Sequence, residues 1–228
     1  MKWPKRLVVV RHGQSQQNVA LDLDDILDER VKQQKEIRDA DVLLTENGIW
    51  QAEQTGLFLA ETEPFDVCFC SPYKRTLQTA KAIISNLGYD LRLFKDNRLR
   101  EKEFGRLHGY TKQEIKDKFP EEAFNQERDG KYWYRLPGGE NYPDVEMRIH
   151  SFLDKLNRDW TEKNVLVVTH QVPLKMFRAL FEYADEESVL GYGEVYNCAL
   201  EEFRINTSKR PEGKLELTYF NKVVYEQE

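Results

Sequence analysis

The stretch whose reading decides the fold is LVVVRHGQSQQN, residues 7–18. Its apolar run, Leu7–Val10, has no polar alternation, the pattern of a strand covered on both faces in a parallel sheet. The run ends on a guanidinium, an imidazole and a glycine: Arg11, His12 and Gly13. Either the strand simply leaves the core and turns at Gly13, or it delivers Arg11 and His12 to a reaction centre. A second stretch, NVLVVTHQ at 164–171, repeats the arrangement, with Val165–Val168 followed by His170. Parallel strands end on the same side, so the two histidines emerge at one carboxyl edge. That edge is where open α/β sheets bind ligands.

Working outward, Phe65–Cys70 reads as a third strand. Ile49, Ala52, Gly56 and Leu59 recur at helical spacing behind a capping Thr45. Leu77, Ala80, Ile84 and Leu87 do the same, as do Val145, Ile149, Phe152 and Leu156. Thr111 and Glu114 have the spacing of a capping box, which predicts a short helix there. Near the end, VYNCALEEFRI and LELTYFNKVVY flank a polar loop and read as a hairpin. The expected architecture is α/β: a three-layer sandwich with a mostly parallel central sheet, helices on both faces and a C-terminal hairpin. Residues 1–228 form one domain in this reading. Segments 19–43 and 120–142 fit the alternation poorly. They are expected to be lid or insertion segments, a small cap over the sheet edge. The first is dense in charge and reads equally as a solvated helix.

Composition narrows the function. The 228 residues are 40% hydrophobic and 32% charged, which supports one sizeable core. With 34 Lys and Arg against 40 Asp and Glu, the formal charge of −6 supplies no basic field for nucleic acid or anionic membrane. An anionic ligand must therefore be held by a local cluster of cations. The 3 cysteines give no disulfide framework and suit a reducing compartment. Cys68 and Cys70 share one strand face as small buried hydrophobes and lack the further ligands of a zinc site. There is no apolar N-terminal segment of signal-peptide type and no apolar run long enough to span a membrane. A cytoplasmic location is expected.

Two further segments carry chemistry. In CSPYKRTLQTA, residues 70–80, Ser71-Pro72 breaks a strand and Arg75 opens the next helix. Arg11 and Arg75 would supply two guanidinium forks, which match phosphate oxygens and never lose their charge. In LREKEFGRLHGY, residues 99–110, Glu101 and Glu103 flank a turn. A carboxyl there is a candidate proton donor to a leaving oxygen. The residues alone do not choose between the two glutamates.

Assembled in order, these segments resemble the histidine phosphatase superfamily, the phosphoglycerate-mutase-like phosphatases. VVVRHGQSQQN resembles its Arg-His-Gly signature, and LLTENGIWQAEQTG resembles its Leu-Thr-x-x-Gly helix start. CSPYKRTLQTA, LREKEFGRLHG, VLVVTH and NCAL resemble the segments that follow. The stretch YWYRLPGGENY resembles a phosphatase branch of that superfamily. The resemblance implies His12 as the phosphorylated nucleophile, with Arg11, Arg75 and His170 holding the phosphoryl oxygens. His170 is expected to be cationic in that role. It implies Glu101, four residues before Gly105, as the proton donor. Gly13 and Asn18 would assist at the phosphate, and Gln171, Tyr132 and Arg135 would contact substrate.

No metal and no cofactor is implied. Gln171 stands where the family commonly has glycine, which crowds the turn after His170. Arg128, Lys131 and Arg135 only loosely replace the arginine pair of the mutases. The expected function is hydrolysis of phosphomonoesters of small metabolites through phosphohistidine. A phosphoglycerate mutase and a non-catalytic phosphate-binding protein are the alternatives. The partner is a small phosphorylated substrate, and edge strands near the hairpin leave room for a homodimer.

Overall fold

A computed structural model describes residues 3–22, 37–208 and 214–226. The opening apolar run lies in strand β1 (Arg6–Arg11), all of it buried. Strand β4 (Asn164–Thr169) pairs with it in parallel, from Arg6 opposite Asn164 to Arg11 opposite Thr169. Strand β2 (Val67–Cys70) lies parallel on the far side of β4, with Cys70 opposite Val168. A short strand β3 (Leu93–Lys95) adds to β2 in parallel. On the other side of β1, β5 (Leu200–Asn206) and β6 (Lys214–Lys222) form the expected antiparallel hairpin. The sheet order is β3-β2-β4-β1-β5-β6.

Alternate side chains of β1 enter two different cores. Leu7 and Val9 pack with α6 (Tyr142–Asp159) and α7 (Gln171–Glu182), while Val8 and Val10 pack with α2 (Glu46–Ala60) and α3 (Lys74–Ser85). Burial on both faces explains the unbroken apolar run, each such side chain contributing about 1.5–3 kcal/mol. The result is the expected α/β sandwich of three layers. Cys68 and Cys70 lie inside the second core as small hydrophobes.

Thr45 caps α2 by accepting from the Gly48 N–H at 3.0 Å. The buried face of α2 is Gly48, Gln51, Ala52, Thr55, Gly56 and Leu59, whereas Ile49, which the periodicity put inside, is exposed. Close backbone contact sets this rotation. A Cβ on Gly48 would collide with the Gln14 carbonyl, and one on Gly13 would collide with the Gly48 carbonyl. The glycine after His12 therefore lets the β1 turn press on α2, before a short helix α1 (Gln16–Asp22).

Segment 120–142 is more regular than expected. It contains α5 (Pro120–Trp133), interrupted at Gly130 (φ 76°), and then the tight turn at 137–139. With α4 (Lys112–Lys118), which has the expected capping box, it forms a small cap around Leu107, Tyr134 and Leu136. A last short helix, α8 (Glu186–Gly191), precedes β5. Of the segment 19–43, residues 23–36 lie outside those described; a 3-10 turn at Asp39–Asp41 follows.

Candidate active site

The parallel register brings three strand ends level. The His12 N–H donates to the Thr169 carbonyl at 3.0 Å, and the Ser71 N–H donates to the Val168 carbonyl at 3.1 Å. His12, Ser71 and His170 thus leave β1, β2 and β4 at one height. The two imidazole rings lie 5.2 Å apart, edge to face. The His170 Nε2 is 2.9 Å from the Ser71 hydroxyl.

His12 has a fixed tautomer. Its Nδ1 is 2.8 Å from the Gly13 carbonyl, an oxygen that can only accept, so Nδ1 carries the proton. The Arg75 Nε–H donates to Nε2 at 3.3 Å, which marks Nε2 as the nitrogen with the lone pair. Burial pushes the His12 pKa well below 6.5, and the charges of Arg75 and Arg11 push it further. A neutral imidazole with its lone pair at Nε2 is a competent nucleophile once the long Arg75 N–H contact gives way.

Around Nε2 stand cations. Arg11 is 7% exposed, its Nη1 donates to the Val195 carbonyl and lies 3.8 Å from the Glu194 carboxylate, and its buried Nε has no hydrogen-bond partner among the described residues. Arg75, 3% exposed, lies beside it at the start of α3. Burial and these same cations depress the His170 pKa well below 6.5. These causes favour the neutral form of His170 when no anion faces it. Its Nδ1 is buried and has no partner among the described residues.

Glu101 is placed by two clamps. The Thr169 hydroxyl donates to the Leu99 carbonyl at 2.7 Å, and Arg148 of α6 donates to the Glu101 carbonyl at 3.1 Å. The carboxyl accepts N–H bonds from Lys102 at 2.7 Å, Gln171 at 3.1 Å and Val172 at 3.3 Å. It sits on the amino end of α7. Burial raises its pKa above the ordinary 4.5 in spite of the Lys102 amide and the arginines, and nearby Asp39 raises it too. The carboxyl therefore keeps its proton to a higher pH than an ordinary glutamate. A cavity of about 270 Å³ is lined by Arg11, His12, Asn18, Asp39, Arg75 and Glu101, among others. Geometrically this is an imidazole lone pair, a cluster of cations and a buried carboxyl around one space.

The histidine phosphatase superfamily (branch 1) matches residues 7–215. The chain belongs to that superfamily. It is 32% identical over 179 residues to 6-phosphofructo-2-kinase/fructose-2,6-bisphosphatase of Caenorhabditis elegans, covering 78% of this chain and 34% of that protein. This chain thus spans about a third of that relative's length. Phosphoserine phosphatase 1 of Hydrogenobacter thermophilus is 30% identical over 176 residues, covering 77% of this chain and 75% of the relative. Among solved structures, the α-ribazole phosphatase of Shigella flexneri superposes with TM-score 0.75 at 24% identity, covering 98% of this chain and 99% of that one. That likeness shows the shared fold.

Within this histidine phosphatase fold, the structure brings together Arg11, His12, Arg75, Glu101 and His170. Glu103 faces a neighbouring cleft with Tyr73 and His108, which separates it from Glu101. Asn18 lines the cavity, its side-chain oxygen accepting from the Ser15 N–H and hydroxyl at 3.0 and 2.9 Å. Gly13 lies at the site, but its N–H is committed to the Thr79 hydroxyl at 3.0 Å, so its part is close packing. Gln171 does not obstruct the turn. Its backbone N–H holds Glu101, and its side-chain oxygen accepts from the Val195 N–H at 3.4 Å, in the loop that holds Arg11.

Tyr132 and Arg135 are corrections. Tyr132 is buried in the core, stacked on Tyr142 and donating to Glu146 at 3.2 Å. Arg135 is exposed and paired with Asp144 at 2.5 Å. Neither lines the cavity.

Sequence reasoning missed Asp39, which holds the Arg75 guanidinium, and a group of lysines near Glu101. Lys102 and Lys175 are largely buried, with Lys131 close enough to lower the pKa of both, second to burial in the case of Lys175. Among the described residues none of the three forms an ion pair. Lys102 lies over the Phe104 and Tyr142 rings, 5.1 and 5.3 Å from their centres. Three cations spaced along separate elements leave no local signal in the sequence.

Proposed function

We propose that this chain is a phosphomonoesterase that works through phosphohistidine at His12. The observation that carries the reading is the lone pair on His12 Nε2, held neutral and aimed among Arg11, Arg75 and Glu101. In the first step Nε2 attacks phosphorus, the bond to the leaving oxygen breaks, and Glu101 gives its proton to that oxygen. The Nδ1–H stays on the Gly13 carbonyl throughout. In the second step the Glu101 carboxylate takes a proton from water as the water oxygen attacks phosphorus. The N–P bond breaks and neutral His12 returns.

Arg11, Arg75 and His170 hold the phosphoryl oxygens. Burial and the nearby cations hold His170 neutral; a bound dianion offsets the cations and favours the charged imidazole, so His170 takes up a proton as substrate binds. This route uses only side chains of the chain itself. The cap of α4 and α5, with the residues around Asp39, covers the phosphate edge.

The substrate in this reading is a small metabolite whose leaving group carries a second anion. Lys102, Lys131 and Lys175 support this: Lys102 and Lys175 feel the charge of Glu101, Lys131 acts on both, and none has an ion pair among the described residues. Relatives named as fructose-2,6-bisphosphatase and phosphoserine phosphatase, the former in Saccharomyces cerevisiae at 32% identity, support hydrolysis. Free, buried Cys68, Cys70 and Cys198 support a reducing, cytoplasmic setting. The test is a panel of phosphorylated metabolites scored by released phosphate. Bisphosphorylated or carboxylated esters should be preferred over neutral-tailed ones, and His12→Ala should abolish the release. Full activity in His12→Ala would overturn the reading.

A further inference from the structure

One nitrogen of the His170 ring is held and the other is free. The side chain is closed to water, and its ring meets those of Tyr73 and His12 edge to face, 5.0 and 5.2 Å from their centres. Nε2 lies 2.9 Å from the Ser71 hydroxyl, while Nδ1 is buried and has no hydrogen-bond partner among the described residues. A folded chain seldom strands such an atom, so the free nitrogen needs a cause.

Ser71 decides which nitrogen carries the proton. The residue is fully buried, and its backbone is fixed on both sides. Its N–H donates to the Val168 carbonyl at 3.1 Å, and its carbonyl accepts from the Thr76 hydroxyl at 3.0 Å. The Ser71 hydroxyl oxygen accepts the Tyr73 N–H at 3.3 Å. Its hydrogen must also find an acceptor, and among the described residues that acceptor is His170 Nε2. With a proton on Nε2 instead, the hydroxyl hydrogen and the Nδ1 lone pair would both be stranded. With the proton on Nδ1, the Nδ1–H alone is stranded. One stranded buried group fewer favours the second form by about tenfold or more.

We infer that Ser71 is a positioning residue: its hydroxyl caps the His170 lone pair at Nε2 and leaves the Nδ1–H as a donor to a phosphoryl oxygen. The two neighbouring imidazoles thereby receive different tasks. The His12 lone pair stands among the cations and attacks, whereas that of His170 is spent on a hydroxyl. The charges of Arg75 and Arg11 both act on the His170 ring, which puts it close to the two guanidiniums that hold the same phosphoryl group. When His170 takes up its second proton, that proton goes to Nε2 and the hydroxyl turns from donor to acceptor. A methyl group could do neither. The phosphate contact rests on the phosphatase reading, while the position of the proton stands on the geometry alone.

The test is NMR of the imidazole nitrogens in the phosphate-free wild type at neutral pH, with the His170 signals assigned by their loss in His170→Ala. A bare Nε2 and a protonated Nδ1 are expected. A proton on Nε2, or on both nitrogens, overturns the inference and leaves the phosphatase reading standing. Added inorganic phosphate should shift the Nδ1–H signal; phosphate that binds without moving it also overturns the inference. Ser71→Ala should mix the two tautomers and weaken phosphate binding, measured by calorimetry, by about 2- to 10-fold as the competent fraction falls. In the His170→Ala background the same substitution should cost nothing. An equal loss with and without His170 would make Ser71 a merely structural residue and overturn its role. Absence of phosphate binding in every variant, wild type included, overturns the phosphatase reading and the phosphate contact with it.

Discussion

Replacing Glu101 with glutamine tests the proton donor. The carboxyl accepts three backbone N–H bonds, two at Oε1 from Lys102 and Val172 and one at Oε2 from Gln171. Glutamine can present its one oxygen to the first two donors, which leaves its NH2 facing the Gln171 N–H. Stability should fall by the cost of leaving the buried Gln171 N–H without its acceptor, about 1–3 kcal/mol. Catalysis should fall further, because a general acid contributes about 10²–10⁴-fold, roughly 3–5 kcal/mol of barrier. The two losses are separable by leaving group. An alkyl phosphate needs the proton and should lose the full factor. p-Nitrophenyl phosphate has a good leaving group and should still phosphorylate His12 quickly. Hydrolysis of phosphohistidine then stalls, since the same carboxyl activates water. Stopped-flow absorbance should show a burst of about one nitrophenolate per site, followed by slow turnover. Equal losses on both esters with no burst would refute the assignment of Glu101.

Glu201 offers a test of stability instead of activity. It is fully buried on β5, and neither carboxyl oxygen has a hydrogen-bond partner among the described residues; Arg178 and Glu182 act on it from α7. Burial raises its pKa well above 4.5, so the folded chain keeps a proton that the unfolded chain releases. Stability from this group is complete below the unfolded pKa and is lost as pH rises through the interval up to the folded one, at about 1.4 kcal/mol per pH unit. Glu201→Gln removes the titration. Urea unfolding should show little difference between variant and wild type near pH 4.5 and a growing advantage of the variant toward neutral pH. A difference that is flat with pH would contradict a neutral buried acid.

How much of this was legible in the sequence depends on whether the signal was local. β1 and β4 were plain, because strands covered on both faces must be apolar throughout, and their shared direction put His12 and His170 on one edge. Thr45 and Thr111 announced helix starts because a cap acts within three residues. β3 left no mark: Leu93–Lys95 is partly exposed and is a strand only through its pairing with β2. Ile49 was misplaced because the Gly13–Gly48 contact, not apolar periodicity, sets the rotation of α2.

Tyr132 and Arg135 were read as substrate contacts because a run of aromatics and cations looks alike whether it lines a pocket or anchors a cap. Their partners, Tyr142, Glu146 and Asp144, all belong to α6. Asp39 was hidden in a charge-dense segment where each carboxylate resembles its neighbours. Only the position of Arg75 distinguishes it. The environment of His170 was hidden for a similar reason: the sequence supplies the cations that suit a phosphate, but not how deeply they and the histidine are buried together.

The central claim is that phosphoryl transfer passes through His12. The direct measurement is intact-protein mass spectrometry after rapid quenching in base with a good ester, using Glu101→Gln to slow the second step. A single acid-labile phosphoryl adduct on the peptide that contains His12, absent from His12→Ala, is the expected result. An adduct on another residue, or turnover by a protein that never carries one, would contradict it.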